Sequence, residues 1–136
     1  MASQTLIGAR LFDGNRFHED SALIIENGLV AAILPQEDVE RGKKTTCLPG
    51  GILAPGFIDA QVNGGGGRML NEDSSAATMH AIAKGHRPYG TTSLLPTLIT
   101  DAGDVVTAAM EAVTEAAASD RGVAGLHLEG PHLAPT

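Results

Sequence analysis

The chain has 136 residues, and nine Lys and Arg stand against 16 Asp and Glu, for a formal net charge of −7. Binding a phosphate backbone needs clustered cations, and the nine here are scattered through an acidic chain, which argues against a nucleic-acid partner. Hydrophobic residues make up 43% with no Trp, so a globular core must be built from Ala, Val, Leu and Ile rather than from aromatic rings. No run approaches the ~20 apolar residues of a membrane span, and MASQTLIGAR lacks the basic-then-apolar form of a signal peptide, so no membrane partner and a cytoplasmic location are expected. Cys47 is the single cysteine, which rules out an internal disulfide and a CxxC metal site.

The amino-terminal part reads as β structure. Thr5 to Leu11 is a short apolar stretch closed by Asp13-Gly14. Ala22–Ile25 and Leu29–Leu34 flank Asn27-Gly28, a pair that supplies the two positive-φ positions of a type I′ turn, so a hairpin is predicted there. A polar stretch over Glu37 to Thr46 follows, and Cys47 just beyond it reads as chemically inert. In LPGGILAPGFID, breaks at Pro49-Gly50-Gly51 and Pro55-Gly56 surround a short apolar run and mark a linker. Two domains are therefore expected, over 1–54 and 55–136.

From Gly56 the rhythm becomes strand, loop, helix. A strand over Gly56–Asn63 runs into the glycines Gly64 to Gly67. Ser74 to about Tyr89 reads as a helix capped by Asp73 or Ser74, with Ala76, Ala77, Ile82 and Ala83 facing a core. Gly90–Thr97 is a second strand. Ala102–Ala118 is the clearest helix: Val105, Val106, Ala109, Val113, Ala116 and Ala117 share a stripe, and Thr100 or Asp101 would cap it. Gly122–Glu129 is a third strand, ended by Gly130-Pro131. Strands alternating with helices imply βαβ units and a parallel sheet. A (β/α)8 barrel takes ~250 residues, far more than follow Pro55, so the chain is expected to be the amino-terminal portion of a larger protein. The other reading is a small open α/β domain with its edge strand covered.

In parallel α/β folds the working groups sit at the carboxyl ends of the strands. Three such ends are Gln61 with Asn63, Thr97, and Glu129 in HLEGP. A carboxylate at the tip of an apolar strand, followed by Gly-Pro, could hold a divalent metal, although such a residue taken alone is more often a surface acid or a support for other ligands. Gln61 and Asn63 share one face of their strand, as do His127 and Glu129. The two amides could orient a metal-bound water or substrate, or could satisfy backbone groups. His127 could be a ligand or a packed structural histidine. Gly64 to Gly67 lacks the sequence of a P-loop and reads as loop geometry. His18, His80, His86 and His132 have no ligand-like spacing and are expected outside the site.

LAPGFIDAQVNGGGG, GTTSLLPTLIT and GLHLEGPHLAP, in this order and spacing, resemble the N-acetylglucosamine-6-phosphate deacetylases of the amidohydrolase superfamily. The resemblance spans essentially the whole chain. It implies the first three β/α units of a (β/α)8 TIM-like barrel, preceded by part of a small β-sandwich domain. Most amidohydrolases carry His-x-His at the end of the first barrel strand, where this sequence has Gln61-Val62-Asn63. That replacement implies a single metal, because an amide is a weak neutral ligand beside imidazole. By resemblance the ion is Zn2+, with Fe2+ open, held by Glu129 and two histidines from later strands, and an aspartate from the last strand is the general base. The substrate implied is a phosphorylated amino sugar, and the implied assembly is a homodimer. Other readings are an amidohydrolase acting on another N-acyl or cyclic amide, and a non-catalytic fragment.

Overall fold

The structure is a computed structural model that describes residues 3–40, 42 and 44–130. It divides into two compact units, Met1–Pro55 and Gly56–Thr136.

Among the described residues the first unit holds seven short strands: β1 (Ser3–Ile7), β2 (Arg10–Phe12), β3 (Phe17–His18), β4 (Ser21–Glu26), β5 (Leu29–Pro35), β6 (Thr45–Cys47) and β7 (Ile52–Leu53). They form a four-stranded sheet in the order β5-β4-β1-β6 and a three-stranded sheet in the order β3-β2-β7. The apolar stretch over Thr5–Leu11 is split between these sheets. The chain bends at Gly8, whose φ of +84° puts a glycine there, and any Cβ would stand 2.5 Å from the Leu48 carbonyl oxygen. The hairpin forms as predicted, with Asn27 and Gly28 at φ +53° and +80° and β4 antiparallel to β5. Ile7, Leu11 and Ala22 are the buried apolar residues of this unit among those described.

The second unit contains β8 (Phe57–Val62), helix α1 (Ala76–His86), β9 (Thr91–Ile99), helix α2 (Gly103–Ser119) and β10 (His127–Glu129), with a 3-10 turn over Arg87–Tyr89. The strands pair in parallel in the order β10-β9-β8. The described strands make an open three-stranded sheet and not a closed barrel. The third strand is much shorter than Gly122–Glu129: Val123 makes only a bridge to Leu94, and the ladder resumes at His127.

Both helices pack on one face of this sheet. Leu94 and Leu98 of β9 and Val62 of β8 form one cluster with Met79, Ile82 and Ala83 of α1 and Ala109 and Ala116 of α2. Two expected core residues, Ala77 and Ala117, are exposed, while Thr78 and Met79 are buried. Ala76, Ile82 and Ala83 are buried as expected, and Met79 fills the place expected of Ala77. Asp73 and Ser74 are not the cap of α1; Ser75 is, and its hydroxyl oxygen accepts from the Thr78 N–H. Asp73 instead braces the cap, accepting from the hydroxyls of Thr78 at 2.7 Å and Ser75 at 3.0 Å. Helix α2 starts after Ala102 without a side-chain cap.

The glycine run has a packing explanation. A Cβ on Gly85 of α1 would stand 2.6 Å from the Gly66 N, and one on Gly66 would stand 2.7 Å from the Ala81 carbonyl oxygen, so helix and loop touch backbone to backbone. Gly85→Val should lower the urea midpoint of the full polypeptide by the equivalent of about 1–3 kcal/mol, because backbone atoms must move to admit the side chain. Gly103→Ala, where the methyl meets open space, is the control and should not lower the midpoint. Equal midpoints for the two variants would contradict this packing.

The hydroxyls of Thr78 and Ser75 hold the Asp73 carboxyl below its ordinary pKa. A carboxylate lowered in the folded state stabilises above its unfolded pKa, and that contribution is lost as pH falls through the folded value. The stability difference between the native protein and Asp73→Asn should be full near about pH 5 and shrink below about pH 4. Urea titrations at a series of pH values measure it, and a difference independent of pH would refute the assignment.

Candidate active site at the strand ends

The carboxyl ends of β8 and β10 bring Gln61, Asn63 and Glu129 together. Gln61 Nε2 donates to Glu129 Oε2 at 3.2 Å and Asn63 Nδ2 donates to the same oxygen at 3.3 Å. These contacts span 68 and 66 residues of sequence. Glu129 is half-buried, whereas the two amides are exposed. Among the described residues no hydrogen bond reaches Glu129 Oε1, so one oxygen is held by neutral donors while the other stays open.

Local backbone features aim the two amides. The β8–β9 register slips between Asp59, which pairs with Leu94, and Val62, which pairs with Pro96, so three steps on β8 face two on β9. Such a bulge re-aims side chains at a strand end. It coincides with Pro96, a residue that gives no N–H to the ladder and is rare in a central strand. Side chains serve the amides left over: Asp59 Oδ1 accepts from the Gln61 N–H at 3.1 Å, and Thr97 Oγ1 accepts from the buried Val62 N–H at 2.9 Å.

The register of β9 and β10 pairs Thr97 with His127 and Ile99 with Glu129, which places His127 and Glu129 on the same sheet face as Thr97. The Nδ1 atom of His127 is buried and has no hydrogen-bond partner among the described residues. Thr97, one of the three strand ends singled out from sequence, is 2% exposed and spends its hydroxyl on β8. Asn71, which carried no signal in the sequence, is hydrogen-bonded to the end of β9. Its Nδ2 donates to the Ile99 carbonyl at 2.9 Å and to Asp101 Oδ2 at 2.8 Å, and its Oδ1 accepts from the Ile99 N–H at 3.2 Å. Only the tertiary structure reveals this bracket, since an Asn in a turn usually serves its own backbone.

The remaining histidines are occupied elsewhere. His18 Nε2 lies 2.7 Å from Asp13 Oδ2, His80 Nε2 lies 3.3 Å from the Ala116 carbonyl, and His86 Nε2 lies 3.0 Å from the Gly64 carbonyl. His132 lies outside the described residues. Among the described residues no three His, Cys, Asp or Glu side chains come together. The described site therefore offers a metal one anionic ligand, Glu129, beside two neutral amides.

Comparison with known proteins bears on what such a site serves. No family model matches the chain. It is 39% identical over 129 residues to N-acetylgalactosamine-6-phosphate deacetylase of Shewanella sp. (strain ANA-3), covering 93% of this chain and 33% of that protein. It is also 39% identical over 115 residues to N-acetylglucosamine-6-phosphate deacetylase of Haemophilus influenzae, covering 84% of this chain and 30% of that protein. The crystal structure of N-acetylglucosamine-6-phosphate deacetylase from Pasteurella multocida superposes with a TM-score of 0.92 at 35% identity, over 98% of this chain and 35% of that one. The chain resembles the N-acetylglucosamine-6-phosphate deacetylases. It spans about a third of the length of these deacetylases, and its mixed α/β fold matches the corresponding region of the Pasteurella deacetylase. No helix among the described residues is long and apolar enough to cross a membrane.

Thr97→Val keeps the shape of the side chain and strips the acceptor from the buried Val62 N–H. An unpaired buried donor costs about 1–3 kcal/mol. The urea midpoint of the full polypeptide should fall accordingly, and a midpoint equal to that of the native protein would show that Val62 finds another partner.

Proposed function

We propose that the full polypeptide is a metal-dependent hydrolase that removes acetate from N-acetylglucosamine 6-phosphate, giving glucosamine 6-phosphate in amino-sugar catabolism. The observation that carries this reading is the meeting of Gln61, Asn63 and Glu129 at the ends of parallel strands, in a chain similar to deacetylases. The strands β8, β9 and β10 are then the first of a (β/α)8 TIM-like barrel, and the amino-terminal strands are part of a β-sandwich domain. The parallel order and the shared helix-covered face support the first of these assignments.

In this reading Glu129 is one ligand of a single divalent ion, with Zn2+ the first candidate and Fe2+ an alternative. The donor chemistry suits the ion: a carboxylate oxygen is free, and the amides beside it are too weak as ligands to build a second metal site. When bound, the ion would lower the pKa of a water molecule and polarise the acetamide carbonyl. Gln61 and Asn63 donate to Oε2 and restrict rotation of the carboxylate, which leaves Oε1 available to the ion. His127, on the same face, is a candidate to orient substrate or water. The two histidine ligands and the aspartate base implied by the family resemblance are not supplied by the described residues. The resemblance also carries a homodimer, a cytoplasmic location and a phosphorylated amino sugar as the small-molecule partner.

Glu129→Ala in the full polypeptide should remove most of the bound zinc and most acetate release. Elemental analysis of the purified protein and an acetate assay on N-acetylglucosamine 6-phosphate measure the two effects. Zinc content equal to that of the native protein would sink the ligand assignment. Running the assay on the galactosamine epimer as well decides the sugar, since the relatives include deacetylases named for each. A higher kcat/KM for N-acetylgalactosamine 6-phosphate would overturn the glucosamine assignment.

A further inference from the structure

Glu129 is the last residue of a strand only three residues long. So short a strand has few ladder bonds to β9 with which to fix the backbone beneath a carboxylate. The next residue, Gly130, has φ +115°, a backbone conformation that a side chain rarely adopts.

One side chain compensates. Thr100 Oγ1 donates to the Glu129 carbonyl at 2.9 Å. The same hydroxyl occupies the position that a Cβ on Gly130 would need, and Thr100 Cβ stands 3.1 Å from that position, so Thr100 and Gly130 are fitted to each other. Thr100 is itself anchored on both sides. Asn71 bonds to the N–H and carbonyl of Ile99 and to the carboxylate of Asp101, and Asp101 Oδ1 accepts from the Ala102 N–H at 2.8 Å. The bracket thus runs from Asn71 through 99–101 to the backbone of Glu129. The two amides that come from β8 reach the side chain of the same residue.

We propose that Thr100 is a positioning residue for Glu129, holding the backbone of β10 so that the open carboxylate oxygen keeps a fixed direction toward a divalent cation. This inference rests on the reading of Glu129 as a metal ligand. Groups that orient a ligand without touching the metal commonly change metal affinity by about 10–100-fold. Loss of one exposed hydroxyl bond has by itself a small effect on stability.

The test is a zinc titration of the metal-free full polypeptide, with a competing chelator to report affinity, alongside urea unfolding. Thr100→Val should bind zinc about 10–100-fold more weakly, and Thr100→Ser, which keeps the hydroxyl, should bind as the native protein does. Thr100→Ala removes the hydroxyl without adding bulk, and it should reproduce the loss even if the valine variant folds poorly. Thr92→Val, near the start of β9, should leave zinc affinity unchanged. If Glu129→Ala loses zinc while Thr100→Val and Thr100→Ala bind normally, the positioning role is overturned and the ligand assignment survives. Equal weakening in Thr100→Ser and Thr100→Val also overturns it, because the hydroxyl is then not the determinant. If Glu129→Ala binds zinc normally, the ligand assignment fails and the role of Thr100 falls with it.

Discussion

The central strand β9 is the constraint on which the second unit depends. It bonds to β8 on one side and β10 on the other, and its two faces do different things. Leu94 and Leu98 bury themselves against α1 and α2. Thr97 lies on the opposite face with His127 and Glu129. Because side chains alternate along a strand, the packing that seats the leucines also decides which residues look away from the helices. A register slip of one residue would send the site residues into the helix layer.

Pro96 interrupts this otherwise regular strand, and the interruption is structured. The ladder to β8 loses register beside it, and Asp59 and Thr97 supply acceptors for amides near the slip. Buried N–H groups require partners, so polar side chains appear on a strand whose sequence otherwise reads as apolar. The same region aims Gln61 and Asn63 at Glu129. Irregular pairing and the candidate site are therefore aspects of one local structure, as is common where bulges lie next to functional groups.

The glycine run illustrates a second constraint. Four glycines after a strand suggest freedom to approach a ligand. Here the middle two, Gly65 and Gly66, are matched to Gly85 on α1, and the contact is backbone on backbone. Close approach of a loop to a helix leaves no volume for side chains, which explains glycine on both partners. Asn71 then ties the end of the same loop to β9, so the residues between β8 and α1 are anchored by contacts to a helix and to a strand.

Much of the site was legible in the sequence because strand ends are legible. Apolar runs closed by Gly or Pro locate the tips, and period-two alternation puts Gln61 with Asn63 and His127 with Glu129. Local chemistry likewise determined the β4–β5 hairpin, since Asn and Gly are the residues that most readily take the two positive φ angles of its turn. The tertiary structure decided the rest. It divided the apolar run at Gly8 between two sheets, exposed Ala77 and Ala117, moved the cap of α1 to Ser75 and assigned Thr97 and Asn71 to backbone amides. It also set the contact of two amides with one carboxylate oxygen across more than sixty residues. Propensity and periodicity act over a turn or a strand, whereas which donor meets which acceptor depends on register and packing among segments that are distant in the chain.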